Sequence, residues 1–124
     1  MGTSIRIVCD DQTFDAELNE SETAEAIASS LPLESHANRW GHEIYAHIDV
    51  ELDLAPDARD VLQVGELAYW PPGQAFCIFF GPTPASANGE PRAAGPVNPI
   101  GRVAADAEAL DHVADGVPFR LELR

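Results

Sequence analysis

Glu66-Leu67-Ala68-Tyr69-Trp70-Pro71-Pro72-Gly73-Gln74-Ala75-Phe76-Cys77-Ile78-Phe79-Phe80 is the stretch that decides the fold class. Two apolar, aromatic-rich segments flank Pro-Pro-Gly, a composition that reads as strand, turn and strand. Ala75 to Phe80 is apolar at every position, as expected for a strand buried on each side. Alternation separates Phe76, Ile78 and Phe80 from Cys77 and Phe79. One set therefore lines the interior, and the other faces a helix or a groove.

Upstream, Val61 to Val64 forms a short strand that reaches Glu66 through Gly65. Asp49 to Asp60 is acidic, contains Pro56 and reads as surface loop. Glu43 to Ile48 alternates as a strand after Gly41 and a polar stretch from Glu34 to Trp40. Nearer the N-terminus, Ile5, Ile7 and Cys9 alternate with polar neighbours, and Asp10-Asp11-Gln12 turns the chain into a strand from Thr13 to Leu18. Ser21 then caps a helix with Glu22 and Glu25 in its first turn, where the helix dipole favours negative charge. Ala24, Ile27, Ala28 and Leu31 make one apolar stripe, and Pro32 ends the helix.

Downstream, Gly81-Pro82-Thr83-Pro84 opens a loop to about Pro96, rich in Gly, Pro, Ala and Ser. A loop of that length inside a compact domain suits a binding element. Ile100 to Ala104 reads as a strand, Asp106 as the cap of a short helix through Val113, and Val117 to Leu123 as the last strand. The expectation is one mostly-β domain over residues 1–124. About eight antiparallel strands would close into a barrel and two helices would cap its ends, leaving no exposed edge.

Composition narrows the function classes. Asp and Glu total 21 against 7 basic residues, all of them Arg, for a net charge of −14. Such a chain cannot neutralise a run of phosphates, so no nucleic acid is expected as partner. Anionic lipid is disfavoured for the same reason, and no apolar run is long enough to span a membrane. Met1-Gly2-Thr3-Ser4 has neither a basic nor an apolar leader region, so the expected location is cytoplasmic. Cys9 and Cys77 sit in strands and read as small buried hydrophobes.

Certain blocks carry a resemblance. They are Trp40-Gly41-x-Glu43-Ile44-Tyr45, Val64-Gly65-Glu66-Leu67-Ala68-Tyr69-Trp70-Pro71-Pro72-Gly73, Phe76-Cys77-Ile78-Phe79-Phe80-Gly81-Pro82-Thr83-Pro84, and Asn98-Pro99-Ile100-Gly101-Arg102-Val103. Together, in this order, they resemble a family of small bacterial and archaeal cyclophilin-like proteins of uncharacterised function. The resemblance implies a closed eight-stranded cyclophilin-like barrel with two capping helices. True cyclophilins are prolyl isomerases whose catalytic arginine follows a Phe-His pair. That pair is absent here, and their Gln-Phe-Phe strand is only loosely echoed by Gln74-Ala75-Phe76 and Phe79-Phe80. No catalytic residue is carried over.

The candidate ligand-binding residues are Arg39, Trp40, Tyr69, Trp70, Phe79 and Arg102. An isomerase needs a donor for the proline nitrogen beside an apolar pocket, and a guanidinium supplies one without proton transfer. In a chain this acidic, Arg39 and Arg102 can equally be rim ion pairs. His42-Glu43 and His47 do not make a zinc site, because an offset of five on a strand puts the imidazoles on opposite faces. Glu43, Tyr45 and His47 share a face, read as the outer one. No nucleotide fingerprint or Ser-His-Asp arrangement is present, and neither cofactor nor metal is expected. The expected function is a binding module holding a peptide or small ligand in an aromatic groove, with a divergent peptidyl-prolyl isomerase as the alternative.

Overall fold

Asp10 and Asp11 turn β1 (Thr3–Cys9) into β2 (Gln12–Leu18), with Asp10 left-handed at φ +57°, a conformation a short polar side chain tolerates. In the computed structural model, which describes residues 2–124, both strands of this hairpin are interior to the sheet, each paired on both sides. Met1, part of the leader reading, lies outside the described residues. Helix α1 (Glu22–Ser30) starts where Ser21 Oγ accepts the Ala24 amide at 3.2 Å, and Leu31 is already extended ahead of Pro32. Its stripe packs as expected: Ala24 and Ile27 are buried, and Ala28 and Leu31 lie against the same core.

The chain continues through β3 (Leu33–His36), β4 (Asn38–Arg39), β5 (Glu43–His47), β6 (Arg59–Val61) and β7 (Glu66–Trp70). A 3₁₀ turn at Pro71–Gly73 leads into β8 (Ala75–Phe79). After it come β9 (Arg92–Val103), the five-residue helix α2 (Ala107–Asp111) and β10 (Pro118–Leu123). Asp106 caps α2 by accepting the Ala109 amide at 2.8 Å. Among the described residues no helix is long and apolar enough to cross a membrane.

The closed eight-stranded barrel does not form. The strands make a ten-stranded antiparallel sheet in the order β3-β10-β1-β2-β9-β7-β8-β5-β4, with β6 attached to β9. Its two ends are not joined by a ladder. The reason is a change of partner: β3 pairs only with β10 and β4 only with β5, so each leaves one edge without a ladder. At Ala37 the chain changes partners. The Ala37 amide donates to Val117 O at 2.8 Å and its carbonyl accepts from Gly116 at 2.7 Å. The next residue, Asn38, already pairs with Tyr45 on β5.

A further strand forms around the stretch read as polar, and β9 starts inside the segment read as loop. Leu33–His36 pairs with β10, and β9 begins at Arg92, well before Ile100. The supposed loop to Pro96 is therefore a connection as far as Pro91 and a strand beyond it. That connection is tied internally: Thr83 donates its amide to Ser86 Oγ at 2.8 Å, and the Glu90 carboxylate accepts the amides of Ala87 and Asn88.

The sheet buries apolar side chains on both faces. The larger cluster gathers Ile5, Ile7, Phe14, Leu18, Ile27, Ile44, Tyr69, Phe76, Ile78, Phe80, Phe119 and Leu121. The smaller one holds Leu62, Ala68, Ala75, Cys77, Phe79, Ala93 and Val97 on the opposite face. The alternation in β8 thus divides its side chains between two cores. The candidate site lies on the smaller one.

Candidate functional site

Three residues, Trp40, Gly41 and His42, join β4 to β5. The hairpin closes through mutual bonds, Trp40 N–H to Glu43 O at 3.0 Å and Glu43 N–H to Trp40 O at 3.2 Å. Gly41 takes φ +61°, and a Cβ there would press on the Thr83 backbone at 3.0 Å, so glycine suits both the turn and its packing. Residues paired in this way project to the same face of a sheet. Trp40 and Glu43 therefore share a face, and Tyr45 joins them two residues on. The partner wall is Trp70, at the end of β7. A Cβ on Gly73 would lie 2.6 Å from the Trp70 ring, so the glycine of the Pro-Pro-Gly turn is what lets the indole fold over it.

These side chains enclose a cavity of about 260 Å³, lined by Trp40, Glu43, Tyr45 and Trp70 with Ala93, Ala94 and Val97 of β9. Both tryptophans of the chain are in its wall. Trp40, Tyr45 and Trp70 are half-buried and Ala94 is exposed, so the cavity opens to solvent on that side. Its polar element is Glu43, only 7 % exposed. Burial raises its carboxyl to about pKa 7, against a smaller opposing hydrogen bond with the Cys77 thiol. Burial likewise pushes the Cys77 thiol well up, reinforced by the charge of Glu43. Cys77 and Cys9 are both free and buried.

The predicted site residues are divided by the fold. Trp40 and Trp70 line the cavity, and Phe79 is fully buried in the cluster to which Trp70 belongs. Tyr69, next to Trp70, points to the larger core and donates its hydroxyl to Val50 O at 2.6 Å. Arg39, next to Trp40, also falls on the opposite face. Its guanidinium bonds Val113 O at 2.8 Å, Asp111 O at 3.1 Å and Gly41 O at 3.0 Å, above the Phe80 ring.

Arg102 does share the face of Glu43, in the row Glu43–Phe79–Glu66–Arg102 across four strands. Three strand spacings, about 14 Å, separate the row's ends. Arg102 donates instead to Val64 O at 2.9 Å and Gln63 Oε1 at 3.2 Å. His42 and His47 face the carbonyls of Pro82 and Gly73. Among the described residues no group of His, Cys, Asp and Glu is arranged to hold a metal ion.

The sequence puts Glu43 and Tyr45 on one face and reads it as outer, whereas the structure buries Glu43 and both residues line the cavity. The readable signal was Trp40-Gly41-His42-Glu43, in which a glycine between two alternating segments marks a hairpin and pairs the residues flanking it. The alanines of β9 gave no such signal, because small side chains become a cavity wall only through what they leave unfilled.

Comparison with known proteins adds two findings. A family model described as Cyclophilin-like matches residues 3–122. The solution structure of the hypothetical protein AF2241 from Archaeoglobus fulgidus superposes with a TM-score of 0.84 at 41% identity, covering 99% of this chain and 95% of that one. No curated protein matches.

Proposed function

The chain belongs to the cyclophilin-like family, and on that premise we propose that it is a binding module whose site is the cavity between Trp40 and Trp70. One observation carries the reading: both tryptophans, remote in sequence, meet around an open apolar cavity with a single buried carboxyl in its wall. Half-exposed aromatic surface of this kind gains by being covered. At about 260 Å³ the cavity falls below the roughly 300–1,000 Å³ of drug-sized sites, so it suits one side chain or headgroup rather than an extended ligand. The module works as one domain, and its acidity fits a cytoplasmic setting.

The isomerase alternative asks for a guanidinium beside the pocket, and no arginine lines this one. The test is a titration followed by tryptophan emission and by the two indole N–H resonances, using an Ala-Pro dipeptide amide and a set of small apolar amines, acids and alcohols. Saturable shifts in the native protein, lost in Ala94→Phe with the fold intact, are the expected result. Shifts that survive Ala94→Phe would place binding elsewhere. Exchange spectroscopy on the same dipeptide separates binding from turnover, since uncatalysed cis/trans exchange takes tens of seconds or longer.

A further inference from the structure

The cavity wall holds a buried carboxyl with no cation paired to it. Glu43 is the sole ionisable carboxyl among the lining residues, and its hydrogen-bond partner is the Cys77 thiol rather than a cation. The chain has seven arginines and no lysine. Each arginine is engaged elsewhere: Arg59, the one whose partner is nearest along the row, is bound to Glu66, and Arg39 and Arg102 are held by backbone carbonyls. Left unpaired, a carboxyl buried this far holds its proton to higher pH, and once ionised it is ordinarily matched by a cation or a metal. Here the protein supplies neither.

The rest of the wall answers the question of what would. Trp40, Tyr45 and Trp70 give three aromatic faces around the same space. The electron-rich face of an aromatic ring attracts a cation, and Trp does so most strongly. An ammonium bearing alkyl groups suits both features, because its charge is spread over an apolar surface that loses little on leaving water. A carboxylate ligand meets Glu43 as a like charge, and a phosphate does so more strongly. A net charge of −14 draws cations toward the molecule from a distance.

We infer that the cavity takes a cationic alkylammonium group, held between Trp40, Tyr45 and Trp70 with the Glu43 carboxylate as its counter-charge. The inference rests on the binding-module reading and narrows its ligand to one chemical class. The group enters through the side flanked by Ala94, and the remainder of the ligand stays in solvent. Ammonium groups with more alkyl substituents fit better than a bare primary amine, whose hydration is stronger.

The experiment compares choline with its neutral isostere 3,3-dimethylbutan-1-ol, which has the same shape and no charge. Indole N–H shifts are read in the native protein and in Glu43→Gln. Choline is expected to bind at least about tenfold more tightly than the alcohol, equivalent to roughly 1.4 kcal/mol. Glu43→Gln is expected to remove most of that preference while the alcohol's affinity stays within about twofold. Equal affinity for both compounds in the native protein overturns the ammonium assignment and leaves the binding module standing. Binding of neither overturns the assignment, and the module reading then falls only if the whole set of fragments above is also silent.

A second readout needs no variant. Choline affinity is expected to rise between pH 5.5 and 8.5 as Glu43 ionises. The groups facing it are the Cys77 thiol of β8 and, across Phe79, Glu66 of β7 with Arg59 of β6, while Trp40 and the β9 wall carry no charge. A flat profile would overturn the assignment.

Discussion

Arg39 Nη2 lies 2.8 Å from Asp111 Oδ1, and the same guanidinium spans from the β4–β5 hairpin to the end of α2. It sits 5.1 Å from the centre of the Phe80 ring. Backbone carbonyls at the end of a five-residue helix have no helical donors, and Arg39 supplies them with the Val113 and Asp111 bonds. The sequence offered Arg39 as a ligand-binding residue. Its placement makes it a clasp.

Arg39→Ala is therefore expected to lower stability by about 1–3 kcal/mol, the scale of charge-assisted hydrogen bonds to a half-buried acceptor. Urea unfolding measures the loss. Affinity in the tryptophan cavity should move by less than twofold once the protein is folded. Arg39→Lys should recover only part of the stability, because one ammonium cannot serve acceptors spread around a planar fork. Full stability in Arg39→Ala would show that the clasp contributes nothing.

Glu43 gives the protein a stability term with an unusual pH sign. Its folded pKa, about 7, lies above the ordinary 4.5, so the folded state holds a proton that the unfolded chain releases. Below about pH 4.5 both states are protonated and the burial carries no charge penalty. Stability then falls as pH rises from 4.5 through 7, by an amount of order 3 kcal/mol in total. The carboxyls of Glu90 and Asp111 shift the other way, held down chiefly by hydrogen bonds from Arg92 and Arg39, so their stabilisation is lost only in more acid solution. Glu43→Gln, compared with the native protein by denaturant melts at pH 5, 6, 7 and 8, isolates the term. The variant should gain on the native protein from pH 5 to 7 and level off toward pH 8. Parallel curves would mean that Glu43 titrates normally.

Much of this could be read from the chain, and what could not has specific causes. Helix α1 was legible because its cap, its stripe and its stop signal agree within a dozen residues. The two-sided burial of β8 was legible from alternation alone. The segment 33–39 was lost because Leu33-Glu34-Ser35-His36 is half exposed and its partners, β10 and β5, lie on different sides of the fold. The first half of β9 was lost because Arg92-Ala93-Ala94-Gly95-Pro96 has little intrinsic strand preference and is held by β6. The barrel expectation inherited both omissions. Of the residues expected to bind a ligand, Trp40 and Trp70 line the cavity, while their sequence neighbours Arg39 and Tyr69 fall on the other face. Period-two alternation sends neighbours to opposite faces.

Gly101 is where β9 comes closest to β2. Its φ is +154°, and a Cβ there would stand 2.1 Å from Glu17 O and 2.9 Å from Leu18 Cα. Both obstacles are backbone, so no side-chain rotation relieves them. The register of β9 against β7 also shifts here, with Leu67 opposite Gly101 and Ala68 opposite Pro99. Gly101→Ala is expected to cost at least about 2–3 kcal/mol by prising β2 from β9. Gly95→Ala, in the same strand with open space around it, should stay within about 0.5 kcal/mol. Thermal melts of the two variants make the comparison, and equal midpoints would refute the close approach.

Asn98 and Tyr69 are a cross-strand pair, and both reach the same acidic segment that follows β5. Asn98 is fully buried. It donates to Asp53 O at 2.9 Å and to Thr23 Oγ1 at 3.1 Å, and accepts the Ala55 amide at 2.8 Å. Tyr69 donates to Val50 O and accepts the Leu52 amide at 3.2 Å. A segment that gives Val50 and Leu52 to the core is thus also fixed by two polar side chains from the sheet. Asn98→Ala strips three of these bonds and should cost about 2–3 kcal/mol. Asn98→Asp should be no better, since a carboxylate keeps the Ala55 bond but faces the Asp53 carbonyl without a proton to give. Because the two anchors hold one segment, Asn98→Ala and Tyr69→Phe should combine less than additively: once the first releases the segment, the second has less left to lose. Amide exchange at Leu52 and Ala55 reads this directly. Both amides should lose protection in either single variant, and independent, additive losses would mean that the segment is held at each point separately.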